Sequence, residues 1–210
     1  CGTFPSLGAA WSLFGDRPQP LPPGRSVYRV RGRATVNGVP ATEDTLVAPG
    51  DTVETGPDGE MVFVIGGHAM LVRANARLEV AGERREGDSL LVRGLRLLTG
   101  ALLTVSRDTD TRLKTVTATI GIRGTGWYAE AEPDQTYFCT CYGLADVAAS
   151  DDPESRETVE SRHHDRPLYI LGEGPAGGRV RPAPFINHTD QELMLIEALV
   201  GREPPFIFPK

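Results

Sequence analysis

Lysine is almost missing from this chain. Of 22 basic residues only Lys114 and Lys210 are lysine and the other 20 are arginine, a skew that most simply reflects codon bias. Cysteine is scarce too, with three in the chain, and aromatic residues make up 7%. No apolar run approaches the roughly 18 residues that a membrane-spanning helix needs, which excludes such a helix. Acidic residues outnumber basic ones 28 to 22, and the net charge of −6 argues against a general nucleic-acid binder, whose affinity comes from neutralising phosphates. The shortage of lysine also bears on Gly121-Ile122-Arg123-Gly124-Thr125-Gly126, which has the look of a phosphate loop. Such a loop needs backbone amides at a helix N-terminus, and a Walker loop adds a lysine. Here Trp127-Tyr128-Ala129 continues as strand and no lysine follows. The expectation is a tight strand-to-strand turn in which Gly121, Gly124 and Gly126 permit unusual backbone angles and Arg123 pairs with a carboxylate or carbonyl.

What the chain has in quantity is turn residues. Gly and Pro supply 24 and 17 of the 210 positions, high for a helical protein and suited to a β domain. Residues 1–25 read as a terminal region ending in the proline-rich spacer Arg17–Gly24. From Ser26 the pattern is β. Val27–Arg31 alternates, Thr35-Val36 runs into the hairpin pair Asn37-Gly38, and Met61–Ile65 is apolar enough to be buried on both sides. Ser89–Val105 is broken by Gly94 and Gly100 and suits consecutive strands; further strands are expected at 115–120, 126–131, 136–141, 145–148, 158–161 and 168–171. Strands at this spacing with no intervening helix predict an all-β sandwich or barrel-like domain over 26–172. Residues 173–210 add one short helix, opened by the capping box Thr189-Asp190-Gln191-Glu192 and closed near Gly201, and then an apolar tail.

The three cysteines divide into two jobs. The chain begins at Cys1 rather than Met, and a chain that begins at Cys after an export signal resembles a mature bacterial lipoprotein. That likeness implies acyl chains on Cys1, attachment to a membrane of the envelope, and export from the cytoplasm. Cys139 and Cys141 flank Thr140 in a strand, so both thiols leave one face. Same-face neighbours on a strand lie at the upper edge of disulfide reach, so a direct bond needs a kinked strand. The pair can instead chelate a soft metal ion, completed by His163 and His164, or by His188 or His68. Adjacent histidines serve one ion only in a turn, and Asp165-Arg166-Pro167 supplies a turn nearby. Buried or differently paired thiols are the third option. A Ser161/His163/Asp165 nucleophilic set is disfavoured, because residues so close along a strand do not converge as nucleophile, base and orienting acid must.

Several segments in order also carry a resemblance: Val36–Pro40, Val47–Glu60, Leu71–Leu78, Leu97–Leu103 and Val116–Trp127. Together they resemble the periplasmic FecR domain, the family of the ferric-citrate signalling regulator, over roughly residues 30–130. The resemblance implies a β-rich envelope domain that senses, binds or scaffolds, and brings no catalytic residues. The functional expectation is a non-enzymatic, lipid-anchored binding or structural module, an accessory subunit of a membrane-associated assembly with protein partners and no nucleic acid. A metal-binding or redox module using the Cys-x-Cys pair, and a periplasmic regulator similar to FecR, are the alternatives.

Overall fold

The computed structural model describes residues 18–84 and 90–207. The expectations for Cys1 and for the segment before the proline spacer fall outside those residues. The described chain is all-β with one short helix near its C-terminal end.

Thirteen strands pair antiparallel in one sheet: β1 (Val27–Arg31), β2 (Ala34–Val36), β3 (Val39–Pro40), β4 (Thr52–Thr55), β5 (Glu60–Ile65), β6 (His68–Val72), β7 (Arg77–Arg84), β8 (Leu90–Lys114), β9 (Ala118–Ala131), β10 (Gln135–Ala149), β11 (Asp152–Ser161), β12 (Leu168–Leu171) and β13 (Val180–Pro182). Asn37 and Gly38 take φ of 52° and 78°, the twin positive angles of a type I′ turn, and join β2 to β3 as the sequence pair demands.

The expected series of short strands in the middle of the chain is corrected. Residues 90–105 do not break at their glycines, because β8 runs 25 residues through both of them. Gly100, at φ +80°, marks instead a change of neighbour: residues 90–99 pair with β7, and from Gly100 onward the strand pairs with β9 and, over Leu102–Ser106, with β6. The expected turn at Gly121, Arg123, Gly124 and Gly126 is likewise not a turn, since all four lie inside β9. Arg123 does find a carboxylate, donating to Asp146 across the ladder at 2.6 Å. Glycine in a long antiparallel ladder bends the strand without ending it, a distinction that residue type alone does not make.

Both faces of the central strands are buried, and period-two alternation sorts their side chains. Met70, Val72, Leu102, Trp127, Ala129 and Phe138 join the larger core. Ala69, Leu71, Leu103, Val105, Tyr128, Tyr137, Cys139 and Cys141 face the other way, into a second core completed by Leu193, Ile196 and Leu199. Those three belong to the helix α1 (Asp190–Leu199), which lies over this second face. Thr189 and Glu192 form the expected capping box, each side chain taking the other's backbone N–H. Because β13 extends the sheet and α1 covers it, residues 173–207 are part of the same body as the strands.

Two predictions follow from this packing. A Cβ at Gly100 would stand 2.5 Å from the Ala76 Cα, whereas one at Gly38, also at positive φ, meets nothing within 4 Å. Gly38→Ala is expected to cost about 1 kcal/mol for the left-handed backbone alone, and Gly100→Ala at least twice that, read as shifts of urea midpoints. His68 is buried, and that burial, aided by Arg202, lowers its pKa from 6.5 to about 4. Between those values the unfolded chain binds a proton that the folded chain refuses. The contribution of neutral His68 is therefore complete above pH 6.5 and is lost as pH falls toward 4. Wild type is expected to lose about 2 kcal/mol more than His68→Leu between pH 7 and pH 5. Equal losses would show that His68 does not titrate as described.

Candidate metal centre

Strand β10 carries the two thiols. Its register against β9 steps from Thr140↔Trp127 to Tyr142↔Gly126, which leaves Cys141 as the extra residue of a bulge. The kink keeps Cys139 and Cys141 in the second core, both with no solvent exposure. In the structure the two sulfurs are not bonded to each other.

His164 comes from the loop between β11 and β12. Its φ of +55° places it in the left-handed region, and its backbone N–H donates to the carbonyl of Cys141 at 2.9 Å. The loop is locked by Asp165, whose carboxylate accepts from the backbone N–H groups of Arg162 at 2.7 Å and His163 at 3.3 Å. Ser161 and Asp165 bond each other within this turn, while the ring of His163 goes to Asp190. The Ser161/His163/Asp165 set therefore closes a loop and forms no nucleophilic triad.

His188 comes from the segment leading into α1. Its ring stacks on Tyr128 at 4.5 Å, and the chain just before it is pinned where Ile186 N–H meets the Tyr137 hydroxyl at 3.3 Å. Arg73 holds the same segment, donating to the carbonyl of Asn187 at 2.9 Å and to Glu192 at 2.7 Å.

These elements bring Cys139, Cys141, His164 and His188 together, with their four ligand atoms all within 4.8 Å of one another. Cys139 Sγ lies 3.5 Å from His164 Nδ1, Cys141 Sγ lies 3.4 Å from His188 Nε2, and the two imidazole nitrogens are 3.1 Å apart. A tetrahedral zinc with ordinary bond lengths spaces sulfur and nitrogen about 3.6 Å apart and two nitrogens about 3.3 Å apart. The observed edges match a polyhedron of that size. His163, expected beside His164, is not in the set. His68 is on β6, on the opposite face of the sheet.

Hydrogen bonds on the far side of each ring fix the tautomers. His188 Nδ1 meets the carbonyl of Ile186 at 2.7 Å, and a carbonyl only accepts, so Nδ1 carries the proton and Nε2 turns a lone pair inward. His164 Nε2 meets the Asp190 carboxylate at 3.1 Å and donates to it, which leaves Nδ1 facing Cys139 and His188. This is the outer-shell arrangement of metal-bound histidines. The thiols are already polarised. Cys141, donating to Cys139, holds that thiol well below the usual range against the effect of burial, and His164 and His188 add to the lowering. Burial pushes Cys141 up. For His164, burial opposes the charged form, but Cys139 and Asp190 outweigh it and raise its pKa.

His188 was one of two alternatives in the sequence, and Asp190 had no signal there beyond an acidic residue in a first helical turn. No family model matches the chain, and no curated protein does. The FecR resemblance therefore rests on the segments of sequence that carry it. Two crystal structures of a "putative anti-sigma factor" from Parabacteroides distasonis ATCC 8503 are similar in shape. One matches at TM-score 0.48 and 12% identity over 63% of this chain and 58% of the other. The second matches at TM-score 0.35 and 15% identity over 71% and 59%. The chain thus spans less than two thirds of either, and at these values neither likeness carries a function across.

Full burial predicts that neither thiol is alkylated by iodoacetamide in the folded protein and that both are in urea, read by mass. Rapid native labelling of either thiol would contradict the packing described.

Proposed function

We propose that the protein is a non-catalytic β binding module whose C-terminal part is fastened by one resident soft metal ion, held by Cys139, Cys141, His164 and His188. The observation that carries this reading is the convergence of four ligand atoms, the two imidazole nitrogens 3.1 Å apart with two sulfurs beside them. Without an ion, a proton on His164 Nδ1 serves its contact with Cys139 or with His188. One proton can serve one pair, whereas one cation serves all four donors. The S₂N₂ donor set suits Zn²⁺, and four protein ligands leave no open vertex for substrate, the mark of a structural site. The ion would tie β10, the β11–β12 loop and the start of α1 to a single point.

The FecR-like character of the strands and the accessory role beside protein partners belong to the same proposal. A metal-braced module with no open coordination position fits scaffolding or binding better than chemistry.

The test is metal analysis of protein purified under reducing conditions. One equivalent of zinc is expected, lost in Cys141→Ser and His188→Ala. Metal-free protein with both thiols reduced, or a native Cys139–Cys141 disulfide, would overturn the reading. Asp190→Asn is expected to lower zinc affinity about 10–100-fold through loss of the carboxylate behind His164. His163→Ala leaves that affinity unchanged, and competition with a chromophoric chelator reads both.

A further inference from the structure

The ring of His164 has a second partner set on its outer side. Its Nε2 lies 3.1 Å from Asp190 Oδ1, and His163 Nε2 lies 2.9 Å from both oxygens of the same carboxylate. The three ligand atoms fall within 4.8 Å of one another. Adjacent residues on a strand send their side chains apart, but the left-handed backbone at His164 turns both rings toward Asp190, 4.8 Å between centroids. Phe206 stacks on the His163 ring at 4.3 Å and holds it in place. Exposure rises outward, from 8% for the His164 side chain to 40% for Asp190 and 48% for His163.

We infer that His163, His164 and Asp190 form a second, solvent-facing site for a divalent cation, with the His164 imidazole bridging it to the buried ion. This rests on the buried Cys139/Cys141/His164/His188 centre being metal-bound. Neighbouring ligands at right angles around an ion with bonds of about 2.1 Å stand about 3 Å apart, the spacing seen here between nitrogen and carboxylate oxygen. Binding exchanges the two N–H hydrogen bonds to Asp190 for bonds to the ion, the Nε2 proton of His163 leaving to solvent as its Nδ1 takes one up. The incoming ion takes the Nε2 position of His164, whose proton passes to solvent, and His163 binds through its Nε2 lone pair with its own proton on Nδ1. Two imidazoles and one carboxylate suit a borderline cation such as Zn²⁺, Co²⁺ or Ni²⁺ and leave the outer vertices to water or a small anion. The inner site is closed and sulfur-rich, while the outer one is open and has no sulfur.

That difference in donors gives the test. Metal-free, reduced protein is titrated anaerobically with Co²⁺, followed by absorbance and by bound-metal stoichiometry. The first equivalent is expected to bring intense thiolate-to-cobalt charge-transfer bands and the second only weak ligand-field bands. His163→Ala, a half-exposed position, is expected to keep the first equivalent with its bands and lose the second. Wild type that stops at one equivalent with thiolate bands overturns the bridged site and leaves the buried centre standing. A second equivalent that survives in His163→Ala overturns it as well. Absence of thiolate bands in wild type overturns the buried centre, and the bridge with it.

Discussion

Two imidazole nitrogens turned toward each other, closed in with two thiols under a helix, set the terms for the C-terminal half of this fold. Each ring is held in that orientation from behind, His188 by a carbonyl and His164 by a carboxylate, so neither can turn away from the other. A buried polar group without a partner costs about 1–3 kcal/mol, so the four groups must be held against one another, as the contacts between each sulfur and a ring nitrogen do here. The surroundings are consistent with that demand. Tyr128 covers one face of His188, Tyr137 anchors the segment before it, and Arg73 holds the start of α1.

The sheet prepares this point by alternation. Every second residue of β10 from Tyr137 to Cys141 faces the second core, and the bulge at Cys141 supplies the kink that brings two sulfurs to one place. Gly126 and Gly143 make the bulge possible. A Cβ on Gly126 would enter the Tyr142 ring at 2.5 Å, and Gly143, at φ +93°, faces Thr125 at the same distance. The Gly-rich stretch of β9 that has the look of a phosphate loop is therefore occupied with packing against β10.

Features written in short, local code were legible in the sequence. Asn37-Gly38 declares its turn, Thr189 and Glu192 declare their cap, and the spacing of Cys139 and Cys141 declares a shared face. Features set by distant partners were not. Nothing near Gly100 says that a strand will change neighbours there rather than stop, because the reason is the backbone of Ala76. His164 stood out beside a turn, but whether it or His163 faces the thiols depends on one backbone angle. His188 could not be chosen over His68 until the helix showed which face of the sheet it covers. Asp190 acquires meaning only when the loop of His164 is folded against it.

The order of the ligands along the chain gives the centre a chronology. Cys139 and Cys141 emerge first during synthesis, His164 follows after a further strand, and His188 comes only at the threshold of the helix. Until that last residue is in place the centre is a pair of thiols on an uncovered strand, open to any oxidant nearby. The covering of that strand by α1 and the gathering of the four side chains are therefore one event. A cysteine pair placed this far ahead of its histidines stays uncovered until residues 142 to 188 have packed against it.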